Sequence, residues 1–178
     1  MRKFLAWLSV SFLLPSFLQA QNKNITWEAG AEIQWAGVDR AGDLLLVLQT
    51  GEVQKINKEG KKIGSYRFKT PPTLLDPLDG AQSFYYLQKE NVYGNLSSDL
   101  STSTPHPLDA AFAISPWMVC PSLHELWILD SADFSIKKTK LNSTGISLEA
   151  ALKHLPRKKV EDYIYMREYQ NYLFLLDK

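Results

Sequence analysis

The sequence predicts an all-β fold made of repeated strand pairs. Four segments share one pattern: an apolar strand, a polar turn, and a second, strongly apolar strand that ends in a polar residue. The second strands end at Gln49, Gln88, Asp130 and Asp177, so the repeats are 39, 42 and 47 residues apart. Units of about 40–50 residues are typical of four-stranded propeller blades. The repeat therefore favours propeller-like blades over a sandwich or a barrel, which short strands with regular turns also fit.

The first repeat contains all four strands of a blade. Its second strand is followed by the tight turn Thr50–Glu52, in which Gly51 tolerates a positive φ. Residues 53–57 then alternate apolar and polar side chains, as a half-exposed strand does. A further turn leads to a more polar fourth strand from Ile63 to Phe68. Pro71 and Pro72 end this strand, because proline cannot join a ladder.

Two later segments depart from this regular pattern. Residues 97–107 are polar and predict a surface loop or a weak outer strand. Residues 147–155 place Leu148, Ala151, Leu152 and Leu155 at helical spacing, which predicts a short helix inserted before the last repeat. The predicted domain spans residues 21–178, with blades over residues 33–68, 73–108, 117–149 and, in part, 162–178.

The N-terminal residues predict export. Arg2 and Lys3 precede an apolar run over residues 4–14, and Leu18-Gln19-Ala20 follows. This order is typical of a secretory signal peptide over residues 1–20, cleaved after Ala20. The alternative is an uncleaved N-terminal anchor. No other segment approaches the length of a membrane span, so we expect a secreted or periplasmic protein without a span after cleavage.

Charge and cysteine content narrow the classes of partner. The net charge of the chain is +1, and loss of Arg2 and Lys3 makes it −1. A near-neutral surface gives no electrostatic reason to expect nucleic acid as a partner. Cys120 is the single cysteine and lies in an apolar strand pattern, which predicts a buried and inert thiol.

With these residues in place, the chain resembles the NHL-like, six-bladed propeller superfamily of exported bacterial proteins. The resemblance rests on the turn Asp39–Asp43, the apolar strand Leu44–Leu48 and the turn Asn57–Lys61. It implies the fold and says little about function, because propellers host many unrelated activities. Three blades and a partial fourth cannot close a six-bladed ring. We expect either a shortened sequence or a partner, or a second copy, that supplies the missing strands.

No motif for catalysis or for a cofactor occurs in the sequence. There is no Gly-x-Ser-x-Gly, no His-Glu-x-x-His, no phosphate-binding glycine loop and no Cys-x-x-Cys. The histidines His106, His124 and His154 lie in three separate segments, without the spacing of metal ligands. The sequence therefore predicts no catalytic residue, no metal site and no cofactor.

The candidate binding surface combines tyrosines with charged turn residues. Tyr165, Arg167 and Tyr169 lie in or beside the turn predicted over residues 167–171, and tyrosines at turn ends are enriched at binding faces. Asp76 and Asp79 belong to the segment Asp76-Pro77-Leu78-Asp79-Gly80. This segment reads as a proline–aspartate turn or as half of a calcium site.

These observations favour a non-catalytic binding or scaffold protein that presents its loop faces to a protein or glycan partner. The resemblance implies the alternative, a calcium-dependent lactonase- or esterase-like hydrolase, because some propellers of that superfamily hold Ca²⁺ in the central channel. The uncharged, β-prone run over residues 172–176 also predicts self-association through an open C-terminal edge.

Overall fold

The computed structural model describes residues 26–77, 81–140, 145–152 and 159–178. Among these residues the regular elements are β-strands and two short 3₁₀ turns, without an α-helix, which confirms the all-β prediction. Within the same residues, no helix is long and apolar enough to cross a membrane. The predicted signal peptide, residues 1–20, lies outside the described residues.

The strands form four antiparallel sheets that follow one another along the chain. The first contains β1 (Ile33–Val38), β2 (Leu44–Leu48), β3 (Glu52–Ile56) and β4 (Lys62–Arg67). The second contains β5 (Leu74–Asp76), β6 (Gln82–Leu87), β7 (Val92–Ser97) and β8 (Ser103–Pro107). The third contains β9 (Pro116–Pro121), β10 (Glu125–Asp130), β11 (Ser135–Lys140) and β12 (Ile146–Ala151). The fourth contains β13 (Tyr163–Tyr169) and β14 (Tyr172–Asp177). Three four-stranded blades and a partial fourth were expected, and this prediction is confirmed.

Two turns of the first sheet share one design. The Asp39 carboxylate accepts a hydrogen bond from the Asp43 N–H at 2.9 Å, and the Asn57 side-chain oxygen accepts one from the Lys61 N–H at 2.8 Å. Each turn also needs a residue at positive φ, which Gly42 supplies at 83° and the equivalent Gly60 at 81°. The Asp/Asn-x-x-Gly pattern thus fixes both turns through a side-chain acceptor and a glycine.

The sheets pack face to face in chain order. Leu45 and Val47 of the first sheet share one core with Tyr85 of the second. The opposite face of the second sheet, including Tyr86, joins a larger core that continues through the third sheet to the fourth. Tyr86 also donates a hydrogen bond to the Pro116 carbonyl at 3.1 Å. Because the inner strand of each sheet lines one common pocket, the four sheets surround an axis, as propeller blades do.

The outer face of the first sheet is covered by the chain itself. This face carries Leu46, Leu48 and Ile56, all of them buried. Besides Leu44 of β2, the residues packed against it are Trp27, Ala29 and Ala31 of the segment before β1. The first sheet therefore has an apolar neighbour on each of its two faces.

The helix expected over residues 147–155 is wrong in its described part, because residues 146–151 form β12, and Leu155 lies outside the described residues. This strand pairs with β11, with Glu149 opposite Lys137, and the Ser147 hydroxyl donates to the Lys138 carbonyl at 3.0 Å. The side chains of β12 are exposed. Burial therefore does not determine which of its residues are apolar, and the helical spacing of the leucines and alanine does not report the structure. Residues 103–107 of the other irregular segment form the outer strand β8.

The shared core predicts which side chains contribute most to the free energy of unfolding. Ile128 of β10 is fully buried, so we expect Ile128→Ala to lower the free energy of unfolding by about 2–5 kcal/mol through lost contacts and a cavity. Leu148→Ala, on the exposed strand β12, is the matched control, with an effect below about 0.5 kcal/mol. Urea titration measures both. Equal losses would contradict this description of the core.

Candidate binding face on the fourth sheet

The fourth sheet is a hairpin with a two-residue turn. Gln170 and Asn171 connect its strands with φ of 50° and 65°, the combination that suits the twist of a tight hairpin. The sequence predicted a longer turn that began at Arg167, and this was wrong. Since both turn residues adopt positive φ, pairing continues to Tyr169 opposite Tyr172. Arg167 therefore lies on β13 rather than in a turn.

The outward side of this hairpin is exposed. Residues directly opposite one another on paired strands point to the same side of a sheet. Arg167 lies opposite Phe174, Tyr165 opposite Leu176 and Tyr169 opposite Tyr172. We call this set the tyrosine–arginine face: Tyr165, Arg167, Tyr169, Tyr172, Phe174 and Leu176. Four of its members are more than half exposed, at 57% for Tyr169, 71% for Tyr172, 56% for Phe174 and 54% for Leu176. A concavity of about 510 Å³ lies over the face.

The other side of the hairpin is packed on the third sheet. Met166 is fully buried in the shared core, and Leu173 and Leu175 pack against that core. The Trp117 indole N–H donates to the Tyr163 carbonyl at 3.2 Å, which attaches the start of β13 to β9. The hairpin is thus anchored mainly from one side, and Tyr165 is the one residue of the outward face that also packs against the shared core.

A polar network holds the far end of the hairpin. The Trp127 indole N–H donates to the Glu168 carboxylate, and the Lys138 ammonium lies 3.9 Å from the same carboxylate. Lys138 also stacks over the Trp127 ring, 4.7 Å from its centroid, and pairs with Glu125 at 2.8 Å. Burial alone raises the pKa of Glu168, but hydrogen bonds from Ser122 and Trp127 and the Lys138 charge outweigh it, so the pKa is lowered. Glu168 therefore stays ionised and joins the fourth sheet to the third.

Arg167 is the cationic residue of the tyrosine–arginine face. Its side chain is half-buried, and its Nε is buried without a hydrogen-bond partner among the described residues. The neighbouring Tyr165 has its pKa raised to about 12, mainly by burial and next by the charge of Asp76, against the opposing charge of Arg167. No member of the face is acidic. The face thus combines apolar and aromatic area with the positive charge of Arg167.

Not all of the predicted binding residues share this surface. Tyr165, Arg167 and Tyr169 lie together on the tyrosine–arginine face. Asp76 is buried at the end of β5 and lines a separate cavity of about 210 Å³ beside Phe84 and Tyr93, so it is not on the exposed face. Asp79 lies outside the described residues.

The sequence analysis did not assign three residues of β14 to the site: Tyr172, Phe174 and Leu176. The sequence predicts these residues in an edge strand, but the prediction does not separate the side chains that alternate between the two sides of that strand. The signal was present, because side chains two residues apart on a strand share one side. Once the hairpin register is known, Tyr169 and Arg167 identify which side of β14 completes the face.

An axial pocket of about 710 Å³ lies where the inner strands meet. Its walls include Trp35, Leu75, Trp117 and Tyr165, one from each sheet, and are mainly apolar. Among the residues that the structure describes, no group of three or more His, Cys, Asp or Glu side chains is placed to hold a metal ion.

Cys120 lies in the buried part of β9 as a free cysteine, as the sequence predicted. Burial, with a further contribution from the Asp76 charge, raises the pKa of its thiol well above the ordinary value. The thiol is therefore protonated at neutral pH, and thiols are poor nucleophiles in that form.

The polar network predicts a pH-dependent contribution to stability. Glu168→Gln removes the charge that Trp127 and Lys138 contact, so we expect the free energy of unfolding to fall by about 1 kcal/mol at neutral pH. The folded pKa of Glu168 is below its ordinary value of 4.5. The difference is therefore present above that value and is lost as the pH falls through the lowered folded pKa. Urea titrations at neutral pH and at about pH 3 measure it, with Glu149→Gln on β12 as the control. A difference that is equal at both pH values would contradict this role.

The exposed face also predicts self-association of the purified chain. The run from Tyr172 to Leu176 is β-prone and uncharged, and such runs at an open edge pair with other chains. We expect Phe174→Lys to lower the apparent mass in light scattering at several concentrations, because a lysine opposes edge pairing. Ile63→Lys, at a half-exposed position on β4, is the control and is expected to change nothing. A wild-type monomer at every concentration would count against this prediction.

Comparison with known proteins places the fold. No family model and no curated protein match the sequence. The structure is similar to virginiamycin B lyase from Staphylococcus aureus, with a TM-score of 0.50 and 12% identity over 72% of this chain and 44% of that one. It is also similar to a protein of unknown function from Bacteroides caccae, with a TM-score of 0.50 and 12% identity over 86% and 58% of the two chains. The WD40 domain of Pan2 from Neurospora crassa gives a TM-score of 0.50 at 10% identity, over 83% and 44%. This chain thus spans about half the length of these structures. At such identities the likeness concerns the fold alone, which is of the β-propeller type.

Proposed function

We propose that this chain is a non-catalytic binding propeller that presents the tyrosine–arginine face to a protein partner. The observation that supports the proposal is the exposure of Tyr169, Tyr172 and Phe174 around Arg167. The opposite side of the same hairpin packs on the third sheet. The sequence predicts a partner at the loop faces, whereas the proposed surface is the face of a sheet.

The composition of the face supports a protein as the partner. Tyrosine and arginine are enriched among the residues that dominate protein–protein binding energy, because they bring large contact area with a polar end. Two tyrosine side chains at the turn end provide that area at a low cost in conformational entropy. The neighbouring Phe174 and Leu176 add apolar area, which suits the apolar side chains of a protein partner.

The proposal also includes export of the chain and its membership of the NHL-like group of propellers. The order of charged, apolar and small residues over residues 2–20 supports a cleaved signal peptide and a secreted or periplasmic protein. The shared design of the Asp39 and Asn57 turns supports membership of the NHL-like group. N-terminal sequencing of the exported product tests the first point, and we expect it to begin at Gln21.

A photo-crosslinking experiment tests the binding face directly. A photoreactive phenylalanine analogue replaces Tyr169 in the full chain, which is expressed in its native host and irradiated. We expect one discrete crosslinked protein, which mass spectrometry then identifies. The matched control places the same analogue at Ile114, which is apolar, 81% exposed and not part of the tyrosine–arginine face.

The identified protein is then purified for a binding measurement. We expect Phe174→Ala to weaken its affinity by about tenfold or more, the usual effect for a central anchor residue. Crosslinks at both positions, a crosslink to glycan only, or an affinity unchanged by Phe174→Ala would refute the proposal.

A further inference from the structure

We infer that the cavity beside Asp76 binds a single ring of a neutral sugar. This cavity of about 210 Å³ lies between the second and third sheets and is separate from the tyrosine–arginine face. We call it the inter-sheet cavity. Its walls come from two sheets of four strands each, so the inference rests neither on the proposed function nor on the fourth sheet.

The wall from the second sheet borders an aromatic ring with polar side chains. Asp76 of β5 lies opposite Phe84 of β6, which in turn lies opposite Asn95 of β7. Residues opposite one another share a side of the sheet, so these three form one row across it. Gln82 lies two residues before Phe84 on the same strand and therefore on the same side. A carboxylate and two amides thus surround Phe84.

Tyr93 completes the aromatic part of this wall. Its ring is stacked beside that of Phe84, with the centroids 6.1 Å apart and an angle of 23° between the planes. The Tyr93 ring also contacts the His106 ring, at 5.6 Å between centroids. These contacts hold the half-buried ring in place before a ligand enters, so binding costs little conformational entropy.

The third sheet supplies the opposite wall and the mouth of the cavity. Pro121 of β9 and Leu126 of β10 lie opposite each other, and Leu126 is buried. Leu123, in the turn between these two strands, is 89% exposed, and Gln82 of the second sheet is exposed as well. The cavity therefore opens to solvent beside Leu123 and Gln82 and is closed by Leu126.

The polar lining excludes two classes of ligand. Gln82 and Asn95 lose contacts with water when a ligand enters, and an apolar ligand offers no hydrogen bonds in return. The Asp76 carboxylate repels an anion, and no lysine or arginine is among the described residues that line the cavity. The second carboxylate of the lining, that of Glu125, is paired with Lys138 at 2.8 Å. The lining thus suits a neutral ligand with many hydrogen-bonding groups.

A sugar ring matches both the polar and the aromatic parts of the cavity. Its hydroxyl groups donate to the Asp76 carboxylate and accept hydrogen bonds from the amide N–H groups of Gln82 and Asn95. Its C–H face packs on the pair formed by Phe84 and Tyr93. Sites for drug-sized ligands usually measure about 300–1,000 Å³. A cavity of about 210 Å³ is therefore suited to one ring, with the rest of a longer glycan outside the mouth.

Ligand-observed NMR with the full chain tests the site directly. The probes are the methyl glycosides of glucose, galactose, mannose, xylose and N-acetylglucosamine, and methyl glucuronide is the anionic counterpart of the glucoside. We expect at least one neutral glycoside to bind, with magnetisation transferred to its C–H protons. We expect the glucuronide to bind at least about tenfold more weakly than that glycoside, because its carboxylate meets the Asp76 charge.

Two amide variants locate the binding. Asn95→Ala and Gln82→Ala each remove hydrogen bonds to the sugar, so we expect each to weaken the best glycoside by about threefold to tenfold. Gln49→Ala, which removes an exposed amide just after β2, is the matched control and should leave the affinity unchanged. Circular dichroism checks that each variant is folded. Gln82 is exposed, so the variant at this position decides the matter if Asn95→Ala does not fold.

The outcomes separate this inference from the proposed function. Absence of binding by every glycoside, an affinity unchanged by Gln82→Ala, or an equal loss with Gln49→Ala overturns the inter-sheet cavity as a sugar site. None of these results alters the crosslink expected at Tyr169, which tests the tyrosine–arginine face alone. Loss of that crosslink while a glycoside still binds overturns the binding face and leaves the sugar site supported.

Discussion

The structure depends on one constraint, which is that each sheet has apolar side chains on both faces and must cover both. Leu45 and Leu46 are neighbours on β2, yet each is buried in a different core. A sheet of this kind needs a neighbour on each side, so the sheets stack in chain order. The segment with Trp27 covers one end of the stack. At the other end the same constraint leaves the tyrosine–arginine face exposed among the described residues, and this exposure makes it a candidate site.

Buried ion pairs fix the strand ends within this stack. Lys137 contacts Asp130 at 2.6 Å and Asp133 at 2.9 Å, and Asp130 also accepts the Ser115 N–H at 3.0 Å. In the first sheet Lys55 contacts Asp39 at 2.7 Å. Breaking one partner of such a pair leaves a buried charge, so the pairs favour a single register over slipped alternatives. Core packing supplies the stability, and these pairs specify which residues lie opposite one another.

Much of the fold could be predicted from the sequence, because the clearest sequence patterns are apolar strands that become buried. The blade repeat was identified by the apolar second strands, which burial selects, and by the glycine turns of the first sheet, which need a positive φ. The prediction failed at β12. Its side chains are exposed, so burial imposes no strand periodicity on them, and the chance spacing of Leu148 and Ala151 suggested a helix. It also failed at Arg167, because a turn of only two residues, Gln170 and Asn171, depends on backbone angles that the sequence does not display. Both failures occurred where side chains meet solvent.

The binding face was predicted in part for the same reason. Tyr169 and Arg167 were recognisable as unusual residues, but their grouping with Phe174 depends on the pairing register, which is a long-range property. Register also gives the face its chemistry. Counted back from the irregular pairing in each sheet, Phe174 corresponds to Leu45 of the first sheet and to Trp127 of the third. The third strands of those sheets place Lys55 opposite Leu45 and Lys138 opposite Trp127. Lys55 and Lys138 each have carboxylate partners. In the fourth sheet the cation lies on the inner strand instead, as Arg167 opposite Phe174. The same backbone architecture thus places the cation on the third strand in two sheets and on the inner strand in the last.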